Sequence, residues 1–106
     1  MKIIPVSDSP AFRERVLLDE KPYLLDFEWN VRESYWTLGI YDEEGIPILT
    51  GTKIVLGYEL LRDYVSPALP PGGIVAIDLT SKLSKIGRND LNSNKIRLVY
   101  IERDEW

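Results

Sequence analysis

The residues able to do chemistry in this chain are its carboxylates, since histidine and cysteine are both absent. Without histidine the commonest general base and metal ligand is missing; without cysteine there is no thiol nucleophile, thiolate metal site or disulfide. Carboxylate catalysis needs two acids held together with separated pKa values. Here the acids cluster in stretches that read as solvated turns: Asp42, Glu43 and Glu44, then Asp104 and Glu105. Asp26 and Glu28 alternate with apolar residues and point outward, to solvent or to a partner. Asp78 stands inside an apolar run and reads as a strand residue pairing with a turn amide or an arginine. No Asp-x-Asp-x-Asp-Gly calcium loop occurs. Gly72-Gly73 follows two prolines and precedes a strand instead of opening a helix, so it is no phosphate loop. These readings point to no enzyme, no cofactor and no metal.

The elements that would position any site are organised around Tyr23 to Asp42. Tyr23, Leu25, Phe27 and Trp29 fall at every second position, and Trp36, Leu38 and Ile40 do the same. A period of two puts each set on one face of a strand. The polar insert Asn30–Ser34 has the length of a hairpin connection. Upstream, Lys2 to Val6 reads as an edge or terminal strand containing Pro5. Phe12 to Leu18 alternates imperfectly and favours a strand over a short helix. Asp19 to Pro22 is a turn into the hairpin. Downstream, Glu43-Glu44-Gly45 is a tight turn whose glycine suits a positive φ. Ile46 to Thr50 and Lys53 to Leu56 read as short strands, and Tyr58 to Tyr64 as one helical turn or a strand. Pro67 to Gly73 is a rigid connection ending in a flexible pair. In the strand Ile74 to Leu79, Val75, Ile77 and Leu79 share one face. Thr80 to Asn94 is a long polar loop, and Asn94 to Glu102 a last strand with Arg97, Val99 and Ile101 as an outward row. Seven or so short strands predict one antiparallel all-β domain over residues 1–106, a barrel or a sandwich.

Net charge is −4 and the basic residues are scattered, which argues against a specific nucleic-acid partner. No run approaches the roughly 20 apolar residues of a membrane helix. The start lacks an apolar segment long enough for a signal peptide, so a soluble, unexported protein is expected. Most aromatics belong in the core. Tyr35 and Tyr41, with Thr37, lie on the face opposite Trp36, Leu38 and Ile40, and form a candidate contact surface. Apolar residues on both faces of a strand imply a closed sandwich or a partner.

The order of motifs adds a family. Ile4-Pro5-Val6 precedes a strand ending Phe27-Glu28-Trp29-Asn30. Then come Tyr35-Trp36-Thr37-Leu38-Gly39-Ile40-Tyr41-Asp42, Gly45-Ile46-Pro47-Ile48 and Gly51. A Leu60-Leu61 pair, Leu69-Pro70-Pro71-Gly72-Gly73 leading into Val75 to Asp78, and Arg97-Leu98-Val99-Tyr100 follow. In this order, over nearly the whole chain, the sequence resembles the phage baseplate plug family of small tail proteins. The family's second central strand usually opens with a glycine after the polar turn, where this chain has Glu33-Ser34. The resemblance implies a non-enzymatic structural protein of a contractile-tailed virion, made in the host cytoplasm. It would sit at the central baseplate hub below the tail tube and close the channel until ejection. Its partners would be hub and tail-tube proteins and further copies of itself, a trimer being favoured by hub symmetry. An acidic surface lining such a channel would repel DNA phosphates. The expected contacts are Tyr35, Thr37 and Tyr41, the Pro70-Pro71-Gly72-Gly73 stretch, and the Ser81 to Asn94 loop with Lys85 and Arg88. The alternative is a small β-barrel adaptor that recognises a carbohydrate or protein partner, stacking Trp106 on its ligand.

Overall fold

Alternating burial builds the strands seen in the computed structural model, which describes residues 1–62, 64, 66–80, 86–91, 93 and 95–105. The strands are Lys2–Ile3 (β1), Ala11–Leu18 (β2), Lys21–Asn30 (β3), Tyr35–Tyr41 (β4), Pro47–Lys53 (β5), Gly73–Asp78 (β6) and Ile96–Ile101 (β7), followed by a 3₁₀ turn at Arg103–Glu105. They form two antiparallel sheets, one of order β2-β3-β4-β5 and one of order β1-β7-β6. The sheets stay separate, so the fold is sandwich-like and not a closed barrel.

The hairpin at the centre of the sequence is also the centre of the larger sheet. Leu25 pairs with Ile40, Phe27 with Leu38 and Trp29 with Trp36. Directly opposed residues share a face, so this register puts the apolar set of both strands inside. Phe12 of β2 completes an aromatic cluster: its ring stacks on Phe27 at 4.8 Å and meets Trp36 edge-on at 6.2 Å, while Trp29 meets Trp36 at 5.6 Å. The smaller sheet contributes Ile74, Ala76, Ile96, Leu98 and Tyr100 to the same core.

Several expected boundaries move. Pairing of β1 ends at Ile3, because Pro5 turns the chain away after the Ile4 N–H reaches the Leu98 carbonyl (2.8 Å). Ile46 to Thr50 and Lys53 to Leu56 are not two strands. One strand, β5, runs from Pro47 to Lys53 through Gly51, whose φ of 70° lets the irregular pairing with β4 continue. Leu56 makes an isolated parallel bridge to Ala76, and Leu60 N–H bonds the Ile74 carbonyl at 2.8 Å. The connection between the sheets thus covers the edge of β6. Leu60 and Leu61 are buried without forming a strand or a helix. The row Val75, Ile77 and Leu79 is the outer face of its strand; Ile74 and Ala76 face the core. Within the polar loop, Ile86 and Leu91 are buried anchors that composition had hidden.

Three hairpin turns use left-handed residues. Asp19 and Glu20 have φ of 53° and 66°, the two-residue turn whose twist matches its strands. Gly45 has the expected positive φ, 86°. In the β3–β4 turn Ser34 has φ of 58°, and its N–H bonds the Asn30 carbonyl at 2.7 Å. Ser34 thus holds the left-handed conformation that glycine adopts at least cost.

Two stability outcomes follow. Ser34→Gly relieves roughly 1–2 kcal/mol of left-handed strain against roughly 0.5–1 kcal/mol of added chain entropy. A net gain of about 0.5–1 kcal/mol in urea unfolding is expected, and a loss would contradict the turn geometry. Trp36→Ala is expected to cost about 3–5 kcal/mol; a change under about 1 kcal/mol would remove the aromatic cluster from the core.

Candidate functional site

Polar side chains concentrate in two places, beside the β2–β3 turn and on the outer face of the larger sheet. At the turn, Tyr100 of β7 is fully buried. Its hydroxyl donates to Asp19 Oδ2 (2.5 Å) and accepts from the Gly72 N–H (2.8 Å). Asp19 also accepts the Arg103 N–H at 3.1 Å. Burial first, and the Asp19 bond second, raise the pKa of the phenol, so it stays a donor. Gly72 leaves room for this knot. A Cβ there would stand 2.0 Å from the Ile101 carbonyl oxygen and 2.7 Å from the Tyr100 ring. Pro70 and Gly73 are buried and Gly72 half-buried, leaving Pro71 as the exposed member of the predicted contact stretch.

On the larger sheet, Tyr35, Thr37 and Tyr41 do share the outer side of β4, each half-buried. Their neighbours hold them. The Tyr41 ring covers Gly39, whose built Cβ would lie 3.1 Å from it, and the Arg13 guanidinium sits 4.6 Å from the ring centroid. Arg13 is fixed in turn by a two-point bond to Asp26, with Nη2 to Oδ2 at 2.9 Å. The strand register places Arg13, Asp26 and Gly39 side by side. Lys53 lies 5.0 Å from the Tyr35 ring, and Arg15 pairs with Glu43 at 3.2 Å. This face is polar and internally paired.

Arg88 lies elsewhere. Its guanidinium is 5.3 Å from the ring of Trp36, on the inner side of β4, with Asp8 at 4.0 Å. The predicted contact residues therefore fall on three separate places, and Lys85 lies outside the described residues, as do Trp106 and positions 81–84, 92 and 94.

Four further carboxylates act as latches for turns. Asp42 Oδ1 accepts from the N–H groups of Glu44 and Ile46, both at 2.9 Å. Asp78 accepts from Thr80 N–H at 2.8 Å, the turn-amide role expected of it. Glu59 accepts from Leu61 N–H (3.0 Å) and Ile74 N–H (2.8 Å), joining the inter-sheet connection to β6. Asp90 accepts from Gly87 N–H at 2.6 Å. Sequence reasoning passed over Asp19, Glu59 and Asp90. The available signal was local: each precedes or follows a turn where an acid can hold amides. Among the described residues no group of three or more Asp, Glu, His or Cys could hold a metal ion.

Glu14 is different. It belongs to the inward row of β2, and its Oε1 has no hydrogen-bond partner among the described residues. Burial pushes its carboxyl up from 4.5 to about 7.

The fold and its polar groups define a small β-sandwich whose acids and amides hold turns. A family model described as "Cyanophage baseplate Pam3 plug gp18" matches residues 1–104, and the chain belongs to this family of phage baseplate plugs. Membership carries a structural role in the tail baseplate and association with other baseplate proteins. No curated protein matches the sequence.

Two substitutions report on the knot. Gly72→Ala is expected to destabilise by about 3 kcal/mol or more, since the clash is with backbone. Tyr100→Phe is expected to cost about 1–3 kcal/mol by leaving the Asp19 carboxylate and the Gly72 amide without the hydroxyl. Wild-type denaturation midpoints for both would overturn the knot.

The pH dependence of Glu14 has a definite sign. The folded chain keeps a proton up to about 7 that the unfolded chain releases near 4.5, so this group's contribution to stability falls as pH rises between those values. Glu14→Gln is expected to gain thermal stability relative to wild type on going from near pH 5 to near pH 8. A constant difference between the two proteins would place the carboxylate in water.

Proposed function

We propose that the chain is a structural plug of a contractile phage tail, closing the central baseplate hub at the end of the tail tube. The observation that carries this reading is the family match over residues 1–104. The structure is compatible with it in physical terms. A plug must be stiff, and here two sheets share one core and are joined by the hydrogen bonds of the buried Tyr100 to half-buried Asp19 and Gly72. In this reading the chain catalyses nothing. Its partners are hub and tail-tube proteins and further copies of itself, with threefold symmetry favoured because hubs are built on threefold or sixfold axes. Of the proposed contacts, Pro71 is exposed and Tyr35, Thr37, Tyr41, Gly72 and Arg88 are half-buried, so each keeps some accessible surface. The net charge of −4 disfavours retention of DNA against the plug.

The adaptor reading needs an aromatic platform. Trp29 and Trp36 pack on one another at 5.6 Å, and Trp36 is fully buried. Nothing among the described residues favours that reading over the plug.

Quantitative mass spectrometry of purified tails tests the proposal. The chain is expected at a small symmetric copy number, about three or six per tail. Its absence from intact tails, or a copy number matching the tube protein, would contradict an axial plug.

A further inference from the structure

The two outer faces of the sandwich differ in kind. The larger sheet carries ion pairs and stacked cations. The smaller sheet presents Ile3, Val75, Ile77, Leu79 and Ile101 with Arg97 among them, while Val99 between them is buried. Ile3 is 56% exposed, Leu79 46% and Ile77, directly opposite Arg97, 37%. Beside this face, where Pro5 turns away from β7, a recess of about 300 Å³ opens, lined by Ile3, Pro5, Val6, Leu91 and Ile96 with Arg97. Among the described residues Arg97 makes no ion pair. An aliphatic face with a recess and one uncompensated guanidinium calls for an apolar knob carrying a carboxylate.

A face-to-face contact between two copies does not supply it. The described outward residues of β1, β6 and β7 include no Asp or Glu. Such a contact would bury Arg97 without a counter-charge, which is costly.

The chain carries the complementary knob elsewhere. Between β4 and β5, Ile46 is 56% exposed and stands next to Glu43, Glu44 and exposed Pro47. Glu43 is paired with Arg15, whereas the Glu44 carboxylate has no partner among the described residues. The turn is already set in shape: Asp42 Oδ1 holds the N–H groups of both Glu44 and Ile46, and Gly45 takes the left-handed position. A preformed knob loses little entropy on docking.

We propose that the recess and face around Arg97 receive the β4–β5 turn of a second copy, with Ile46 seated beside Ile3 and Pro5 and Glu44 paired with Arg97. The two patches are different surfaces, so the contact is head-to-tail. Repeating it closes a ring or extends a filament. The inference adds the surface for self-association to the plug reading, but it is read from the chain's own groups. Association of the purified chain tests it, while the content of tails tests the plug.

Sedimentation velocity and native mass spectrometry of the purified full chain, with circular dichroism to confirm folding, give the test. The wild type is expected to form a discrete oligomer. R97E and E44R are each expected to weaken association about tenfold or more, because each sets like charges together. The double variant R97E/E44R is expected to restore it. I46D is expected to abolish it while leaving the fold intact. A wild type that stays monomeric up to about 100 μM would overturn the proposal. So would a loss in R97E that E44R does not share, which would mean that the face takes a different occupant. Failure of the double variant to recover would do the same.

Discussion

The buried Tyr100 hydroxyl is the point at which the sandwich is tied together. It belongs to the middle strand of the smaller sheet, yet its two partners come from other parts of the chain: Asp19 from the first hairpin of the larger sheet, and Gly72 from the lead into β6. Sheets packed by apolar contact alone can slide, because burial has no direction. A hydrogen-bonded group in the interior cannot slide without leaving buried donors and acceptors empty. The knot therefore sets how the two sheets sit on each other. Its demands spread outward. Asp19 must occupy a left-handed position, position 72 must lack a side chain, and the Arg103 amide is held at the same carboxylate.

With the interior closed in this way, function falls to the outside. Of the acids that composition offered as candidate catalysts, Asp42 and Asp78 hold turn amides, as do Glu59 and Asp90. The outer face of the larger sheet is covered by its own pairs, Arg13 with Asp26 and Arg15 with Glu43. The smaller sheet is left aliphatic. A baseplate plug associates with other baseplate proteins, and this asymmetry gives the chain two chemically distinct surfaces.

Much of the architecture was legible in the alternation of residue types. The Tyr23–Trp29 and Trp36–Ile40 patterns specified the central hairpin and its inner face, since a period of two has one folded meaning when one side is apolar. Legibility ended where long-range contacts decide. Gly51 looked like a strand terminator, but pairing with β4 carried β5 through it. Ile86 and Leu91 looked like members of a polar loop until the sandwich supplied a core for them to enter. The candidate site was less legible than the fold. Tyr35, Thr37 and Tyr41 were placed on the correct face, yet nothing local shows that Arg13 reaches across two strands to hold Tyr41. Gly72-Gly73 read as a flexible contact loop because the Tyr100 ring that requires Gly72 lies far along the chain. The acid that holds that ring, Asp19, read as an ordinary turn residue.

The central claim is that this sandwich closes the tail at its axis. The most direct test is a cryo-electron microscopy reconstruction of the baseplate from tails that contain the chain, beside one from tails assembled without it. The account predicts density matching the two-sheet sandwich within the hub channel below the tube, lost when the chain is missing. An unobstructed channel in the complete tails, or the same sandwich found at the baseplate periphery, would contradict it.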